Sequence, residues 1–263
     1  MAGMRQVDPP LVVRRAHAGW TWSAAYAYEG VVTTWRLRSP GGQVRYLKVR
    51  AVEEEPSLGD EAVRLEWARA HLPVPAVVDH GTDGDAGWLL LEALPGRDAT
   101  APELTARPAW LVPVLAQGLR RFHEAPVSDC PFRLTVEDAI ASVRRRIAAG
   151  SSEHADLHAE FRHLSLDEAL VTLEELAPDS EDLVVCHGDY CFPNVLVEGA
   201  AVTGYLDLGE LNVADRWWDV AVASWSTCWN VGPGWEGTFL EAYGVEPDAR
   251  RLTFYRLLYD LIS

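Results

Sequence analysis

Three oxygen-bearing side chains, Asp189, Asn194 and Asp207, stand where tight turns can bring them together. Val184-Val185-Cys186 reads as an apolar strand, His187-Gly188-Asp189 as a turn, and Val195-Leu196-Val197 as a second short strand. A third strand, Val202 to Leu206, then delivers Asp207 at its end. One carboxylate on the first turn, with an amide and a second carboxylate nearby, suits a base beside a hard-cation site. Magnesium takes few protein ligands, prefers oxygen, and keeps room for water and phosphate. Phosphoryl transfer uses this inventory: a base for the acceptor hydroxyl, and an Asn and an Asp on the metal.

The elements before this stretch supply a cation. Lys48 is the single lysine among 23 basic residues. Keeping one lysine in mid-strand points to a site that wants a compact charge rather than a planar fork, the plain alternative being a chance surface position. It lies in the second of two strands, Val31 to Arg38 and Gln43 to Arg50, joined by the turn Ser39-Pro40-Gly41-Gly42. Two-residue alternation puts Val44, Tyr46, Lys48 and Arg50 on one face. Ser57 to His71 reads as a helix with Leu58, Glu61, Leu65, Ala68 and Leu72 in one stripe. A carboxylate on an apolar stripe requires a partner, and Lys48 is the natural one; the alternative is an exposed place in the first turn. Pro75 to His80 and Gly87 to Glu92 read as further strands, and Leu91 to Gly96 as a linker. Beyond Pro108 the pattern turns helical: Leu111 to Phe122, Thr135 to Ala149, Glu153 to His163, Leu166 to Leu176, and Asp215 to Cys228. The second of these opens on Thr-x-x-Asp, like a capping box, and stops at Gly150. Arg144-Arg145-Arg146 reads as a solvated face, and the tryptophans from Trp217 onward as packing.

His187-Gly188-Asp189, Asn194, Leu206-Asp207-Leu208-Gly209, Ala214-Asp215-Arg216 and Trp218-Asp219-Val220-Ala221 together resemble the catalytic region of the aminoglycoside phosphotransferases, in particular the 3′- and 3″-hydroxyl-modifying members. Weaker matches at Leu65-Glu66-Trp67, Leu72-Pro73-Val74-Pro75, His123 and Asp129-Cys130-Pro131 extend the likeness over most of the chain. The resemblance implies an α+β, bilobal protein-kinase-like fold, with a nucleotide-binding lobe over 1–92 and a larger helical lobe over 93–263. It implies ATP, with GTP as the alternative nucleotide, and Mg2+. Lys48, set by Glu61, would clamp the phosphates; Tyr46 would stack on adenine or be a core aromatic; the backbone at Leu91 and Ala93 would hydrogen-bond the base. Val32 and Thr33, in a phosphate loop about two residues shorter than the family's, would touch phosphate. Asp189 would be the catalytic base, Asn194 and Asp207 the metal ligands, and Asp219 a support of the catalytic turn, with His187 structural. Glu153, Asp156 and Glu160 would hold the ammonium groups of an amino sugar, or form an ordinary solvated face. Asp260, which matches the family's acidic C-terminus, and Glu210, which stands where its members carry arginine and so reverses a charge beside the site, would also bind the substrate.

A formal charge of −16 argues against nucleic acid and fits a small cationic substrate, although solubility accounts for an acidic surface equally well. No apolar run reaches transmembrane length, no signal-peptide core opens the chain, and the four cysteines form no CxxC pair. The expectation is a cytoplasmic enzyme, not bound to membranes, acting as a monomer or weak dimer. No GxxxxGK[ST] motif occurs, which argues against a Walker-type fold. Phosphorylation of an aminoglycoside competes with phosphorylation of another alcohol (a choline-like compound, a sugar, another antibiotic) and with a non-catalytic nucleotide-binding role. Presence of every polar catalytic position speaks against the last.

Overall fold

The computed structural model describes residues 6–28, 31–52, 56–150 and 157–262. The chain divides into two compact units, Met1–Gly96 with Thr203–Glu210, and Arg97–Val202 with Leu211–Ser263.

The first unit holds helix α1 (Leu11–Ala16), strands β1 (Thr21–Tyr28), β2 (Val32–Arg38) and β3 (Val44–Ala51), helix α2 (Leu58–Ala68), and strands β4 (Val77–Asp83) and β5 (Ala86–Glu92). The strands form one antiparallel sheet in the order β1-β2-β3-β5-β4. Alternation along β3 buries Leu47 and Val49 with Leu37, Trp88 and Leu90 on one side, against Val13 of α1. Tyr46, Lys48 and Arg50 therefore take the other side, and α2 packs on β4 and β5. Helix α2 begins where a capping box closes: the Ser57 hydroxyl accepts the Asp60 N–H, and the Asp60 carboxylate accepts the Ser57 N–H. The Ser57 hydroxyl also donates to the Asp60 carboxylate at 2.6 Å, and that bond, with the backbone one, holds the Asp60 carboxyl below its ordinary pKa. All five members of the sequence stripe, Leu58, Glu61, Leu65, Ala68 and Leu72, are buried.

The second unit contains β6 (Arg97–Asp98), α3 (Pro102–Thr105), α4 (Pro108–Phe122), α5 (Val136–Ala149), α6 (Leu166–Leu176), β7 (Leu183–Cys186) and β8 (Val195–Glu198). There follow β9 (Ala201–Tyr205), along which the chain crosses into the first unit, and then β10 (Asn212–Asp215), α7 (Trp217–Val231), α8 (Glu236–Tyr243) and α9 (Ala249–Ile262). β7 and β10 pair antiparallel, so Asp215 ends a strand rather than opening the helix read from sequence. Residues 157–164 run as turns, not as the second half of a helix; Glu153 and Asp156 lie outside the described residues. Helix α7 is buried on every face from Trp217 to Thr227, as a central helix must be, with α9 and α8 packed on it. No described helix is long and apolar enough to cross a membrane.

Gly118 sits where α4 meets Val202 and Tyr190; a Cβ there would lie 2.4 Å from the Val202 side chain and 2.8 Å from the Tyr190 hydroxyl. In an open helix Gly→Ala stabilises by about 1 kcal/mol. Here overpacking reverses the sign, and Gly118→Ala is expected to destabilise by about 1–3 kcal/mol in urea unfolding.

Candidate active site

In the first unit, strand β3 and helix α2 converge on one ammonium. Lys48 Nζ lies 2.9 Å from Glu61 Oε2 and 2.7 Å from Asp207 Oδ1. Glu61 is buried, Lys48 nearly so, and Asp207 about half exposed. Burial works against the charged lysine, but Asp207 and Glu61 outweigh it and lift its pKa above the ordinary value. Burial also pushes the Glu61 carboxyl up, against the pull of Lys48. Asp207 has φ 59°, the one non-glycine left-handed residue among those described. Aspartate tolerates that region better than most, at a cost of about 1–2 kcal/mol. The segment is fixed by the buried Leu208 and by Gly209, where a Cβ would come within 3.1 Å of Pro56.

Around that centre the other residues of this unit fall as follows. Tyr46, half-buried, pairs with Leu91 across the sheet. The Ala93 N–H points to Val44 O at 3.4 Å, and the Glu92 N–H to Ala76 O at 3.0 Å. Val32 is half-buried where β2 starts; Thr33 is fully buried, its hydroxyl accepting the Val7 N–H at 2.9 Å. Residues 29 and 30 of the expected phosphate loop lie outside the described residues. Glu210 is exposed.

In the second unit the loop after β7 carries Asp189 and Asn194. Gly188 takes φ 88°, a conformation open to glycine, and turns the chain. The turn is held from below by Asp219 on α7, whose two carboxylate oxygens accept the N–H groups of His187 at 2.6 Å and Gly188 at 2.8 Å. Asp219 is fully buried and also meets His123 Nε2 at 3.0 Å, while Tyr243 reaches His123 Nδ1 at 2.7 Å. Ligand atoms of His123, Cys186 and Asp219 lie within 4.8 Å of one another, a spacing open to a metal. Asp219 and His123 are already engaged by these hydrogen bonds, however, so the cluster reads as a support. His187 is structural in the same sense: buried, its Nδ1 accepts the Asp189 N–H at 3.2 Å.

Asp189 itself is half-buried. Its Oδ2 accepts from Asn194 Nδ2 at 2.8 Å; its Oδ1 accepts from the Tyr259 hydroxyl at 3.0 Å and the Cys191 thiol at 2.9 Å. Asn194 gives its N–H side to Asp189, which turns its amide oxygen to other use. Tyr259 and Cys191 are partners of Asp189 that no local sequence signal indicates. Asp260 is buried, both oxygens accepting from His158: one from the backbone N–H at 2.8 Å, the other close against the ring Nδ1. That ring stacks on Trp229, centroids 4.9 Å apart. Glu160 is exposed in the turn that follows His158.

An antiparallel sheet with a lysine–glutamate pair in one unit, and an amide-braced Asp with an Asn five residues on in the other, define a phosphotransferase of the kinase-like class. Residues 7–255 match the model of the Phosphotransferase enzyme family. The chain is 41% identical over 210 residues to an aminoglycoside 3′-phosphotransferase of Streptomyces fradiae, covering 76% of this chain and 78% of that one. Among solved structures, an aminoglycoside-3′-phosphotransferase of type VIII superposes with a TM-score of 0.85 at 33% identity, over 95% of this chain and 96% of that one. An APH(3″)-Id from Streptomyces rimosus, solved with ADP and streptomycin, gives 0.74 at 28% identity over 95% and 96%. The chain belongs to this phosphotransferase family, and its fold is the family's kinase-like α+β fold.

Removing the Asp219 carboxylate would orphan two buried backbone amides and a buried histidine. Asp219→Ala is therefore expected to lower unfolding free energy by roughly 3 kcal/mol or more in urea titrations.

Proposed function

We propose that this enzyme transfers the γ-phosphate of ATP to a hydroxyl group of an aminoglycoside. The observation that carries the reading is the Lys48 ammonium, nearly buried and held by Glu61 and Asp207 in a chain with no other lysine. A compact cation fixed by two carboxylates in this way is preorganised for phosphate oxygens, since its position no longer has to be set when nucleotide arrives. The named relatives support the acceptor class.

Lys48 then clamps the nucleotide phosphates, with Glu61 holding it in place. Tyr46 and the backbone at Leu91 and Ala93 receive the adenine, and Val32 borders the phosphates. Asn194 and Asp207 offer one amide and one carboxylate oxygen, a donor set that suits Mg2+, which would offset phosphate charge when bound. Asp189 orients the acceptor hydroxyl and takes its proton. The acceptor oxygen bonds to the γ-phosphorus as the bond to the β–γ bridging oxygen breaks, and the nucleoside diphosphate leaves. Positioning and electrostatics supply most of the acceleration. The acidic residues Glu160 and Glu210, with Glu153 and Asp156, would draw the ammonium groups of the substrate, within an overall charge of −16. We place the reaction in the cytoplasm, carried out by a monomer or weak dimer.

Two measurements test this. ADP release is expected with aminoglycosides and should be weak with analogues lacking both the 3′- and the 3″-hydroxyl; Asp189→Asn should cut kcat by about a hundredfold or more with nucleotide affinity intact. Release driven equally by choline or simple sugars would replace the substrate class, and an active Asp189→Asn enzyme would remove the base. Lys48→Ala is expected to weaken ATP binding by about tenfold or more while leaving adenosine binding within twofold, read by calorimetry. An unchanged ATP affinity would end the clamp.

A further inference from the structure

The C-terminal helix α9 presents Arg251, Tyr255 and Tyr259 at four-residue steps along one face, and each makes a contact there. Arg251 and the Tyr255 hydroxyl both reach Asp215 Oδ2 at 2.9 Å, at the end of β10. One turn further on, the Tyr259 hydroxyl donates to Asp189 Oδ1 at 3.0 Å. The neighbouring residues fix the same turn of the helix: Arg256 pairs with Glu236 and donates to Ser224 Oγ at 3.1 Å, and Asp260 is held by His158. Tyr259 is thus positioned by a helix anchored on both sides, and its phenol reaches a carboxylate 70 residues away in sequence.

The distribution of donors on Asp189 is uneven. Oδ1 accepts from two of them, the Tyr259 hydroxyl and the Cys191 thiol; Oδ2 accepts from one, the Asn194 amide. A carboxylate oxygen has about two good in-plane acceptor positions. Oδ1 is therefore saturated by its own chain, and the remaining in-plane position belongs to Oδ2. Burial pushes both the Tyr259 phenol and the Cys191 thiol well above their ordinary pKa, with Asp189 adding to it, so both stay protonated donors at neutral pH.

We propose that Tyr259 is a positioning residue for the phosphoryl-transfer step: its hydroxyl fixes the rotation of the Asp189 carboxylate and closes Oδ1, so that Oδ2 alone meets the acceptor hydroxyl. The inference rests on the assignment of Asp189 as base. Without the phenol, the carboxylate turns about its Cα–Cβ and Cβ–Cγ bonds and spends less time aimed at the acceptor, a loss that falls on kcat and leaves nucleotide and substrate binding alone.

Tyr259→Phe keeps the ring and removes the donor. Measured as kcat per nucleotide-binding site, so that loss of folded protein cannot imitate the effect, turnover should fall roughly ten- to hundredfold with both KM values within about twofold. In the Asp189→Ala background the same substitution should change the residual rate by less than about twofold, because Tyr259 acts through that carboxylate. An unchanged kcat per site in Tyr259→Phe, a loss confined to KM, or an equal additional loss in the Asp189→Ala background would overturn the proposal. Full activity of Asp189→Ala alone would instead bring down the base assignment, which separates the two failures.

Discussion

A fully buried carboxylate survives in a protein interior when both its oxygens find donors, and Asp219 meets that condition. Two of its donors are consecutive backbone amides, those of His187 and Gly188. Because a peptide plane is rigid, fixing two adjacent N–H vectors fixes the two planes that lead into Gly188, from which the next residue leaves. That residue is Asp189. The Asp189 carboxylate is therefore aimed by a second aspartate on a helix buried on every face from Trp217 to Thr227, and the aim is as firm as the packing of α7. Trp218 adds to it from the same helix, its indole N–H donating to Gly188 O at 2.9 Å. Tyr190 ties the far side of the loop to Leu115 O of α4, also at 2.9 Å.

The first unit solves its positioning problem with charge instead. Lysine is long and flexible, and an isolated ammonium on a strand would sample many rotamers. Glu61 removes that freedom because it lies on the buried face of α2 and has little room to move. The helix in turn is located by its cap at Ser57 and by the apolar stripe beneath it. A chain of causes runs from a serine and an aspartate at a helix start to the place of one cation. A buried pair of this kind contributes little net stability, since desolvation of both partners offsets their attraction. Its value lies in placement.

Much of this was legible in the residues. Glu61 on an apolar stripe announced a buried charge, and a lone lysine at mid-strand announced its partner; the structure joins them at 2.9 Å. Thr135-x-x-Asp138 gave the start of α5, and Gly150 its left-handed stop. Local rules failed where pairing distant in sequence decided the outcome. Asn212–Asp215 is a strand because it pairs with β7, and four residues carry too short a pattern to say so. Residues 157–164 place Leu157, Phe161 and Leu164 at helical spacing and bury the first two, yet they form turns. Asp260 matches the family's substrate-binding acids by position, yet His158, over a hundred residues earlier, claims both its oxygens. The Tyr259–Asp189 contact had no signal at all, because periodicity tells which residues share a helix face and not which loop that face will meet.

Asp207 shows how the two kinds of constraint meet in one residue. Its left-handed backbone is unfavourable for a side chain with a Cβ, so glycine would suit the turn better on backbone grounds alone. Glycine has no carboxylate, and without it Lys48 would keep only the buried Glu61 as a counter-charge. The strain is therefore retained for the side chain: an oxygen at 2.7 Å from the ammonium on a residue half-open to solvent. Leu208, buried directly after it, sets the register of the turn, so the strained angle cannot relax without lifting an apolar side chain into water. Burial of a leucine offsets the backbone cost next door, and the position of an acidic group is what that exchange secures.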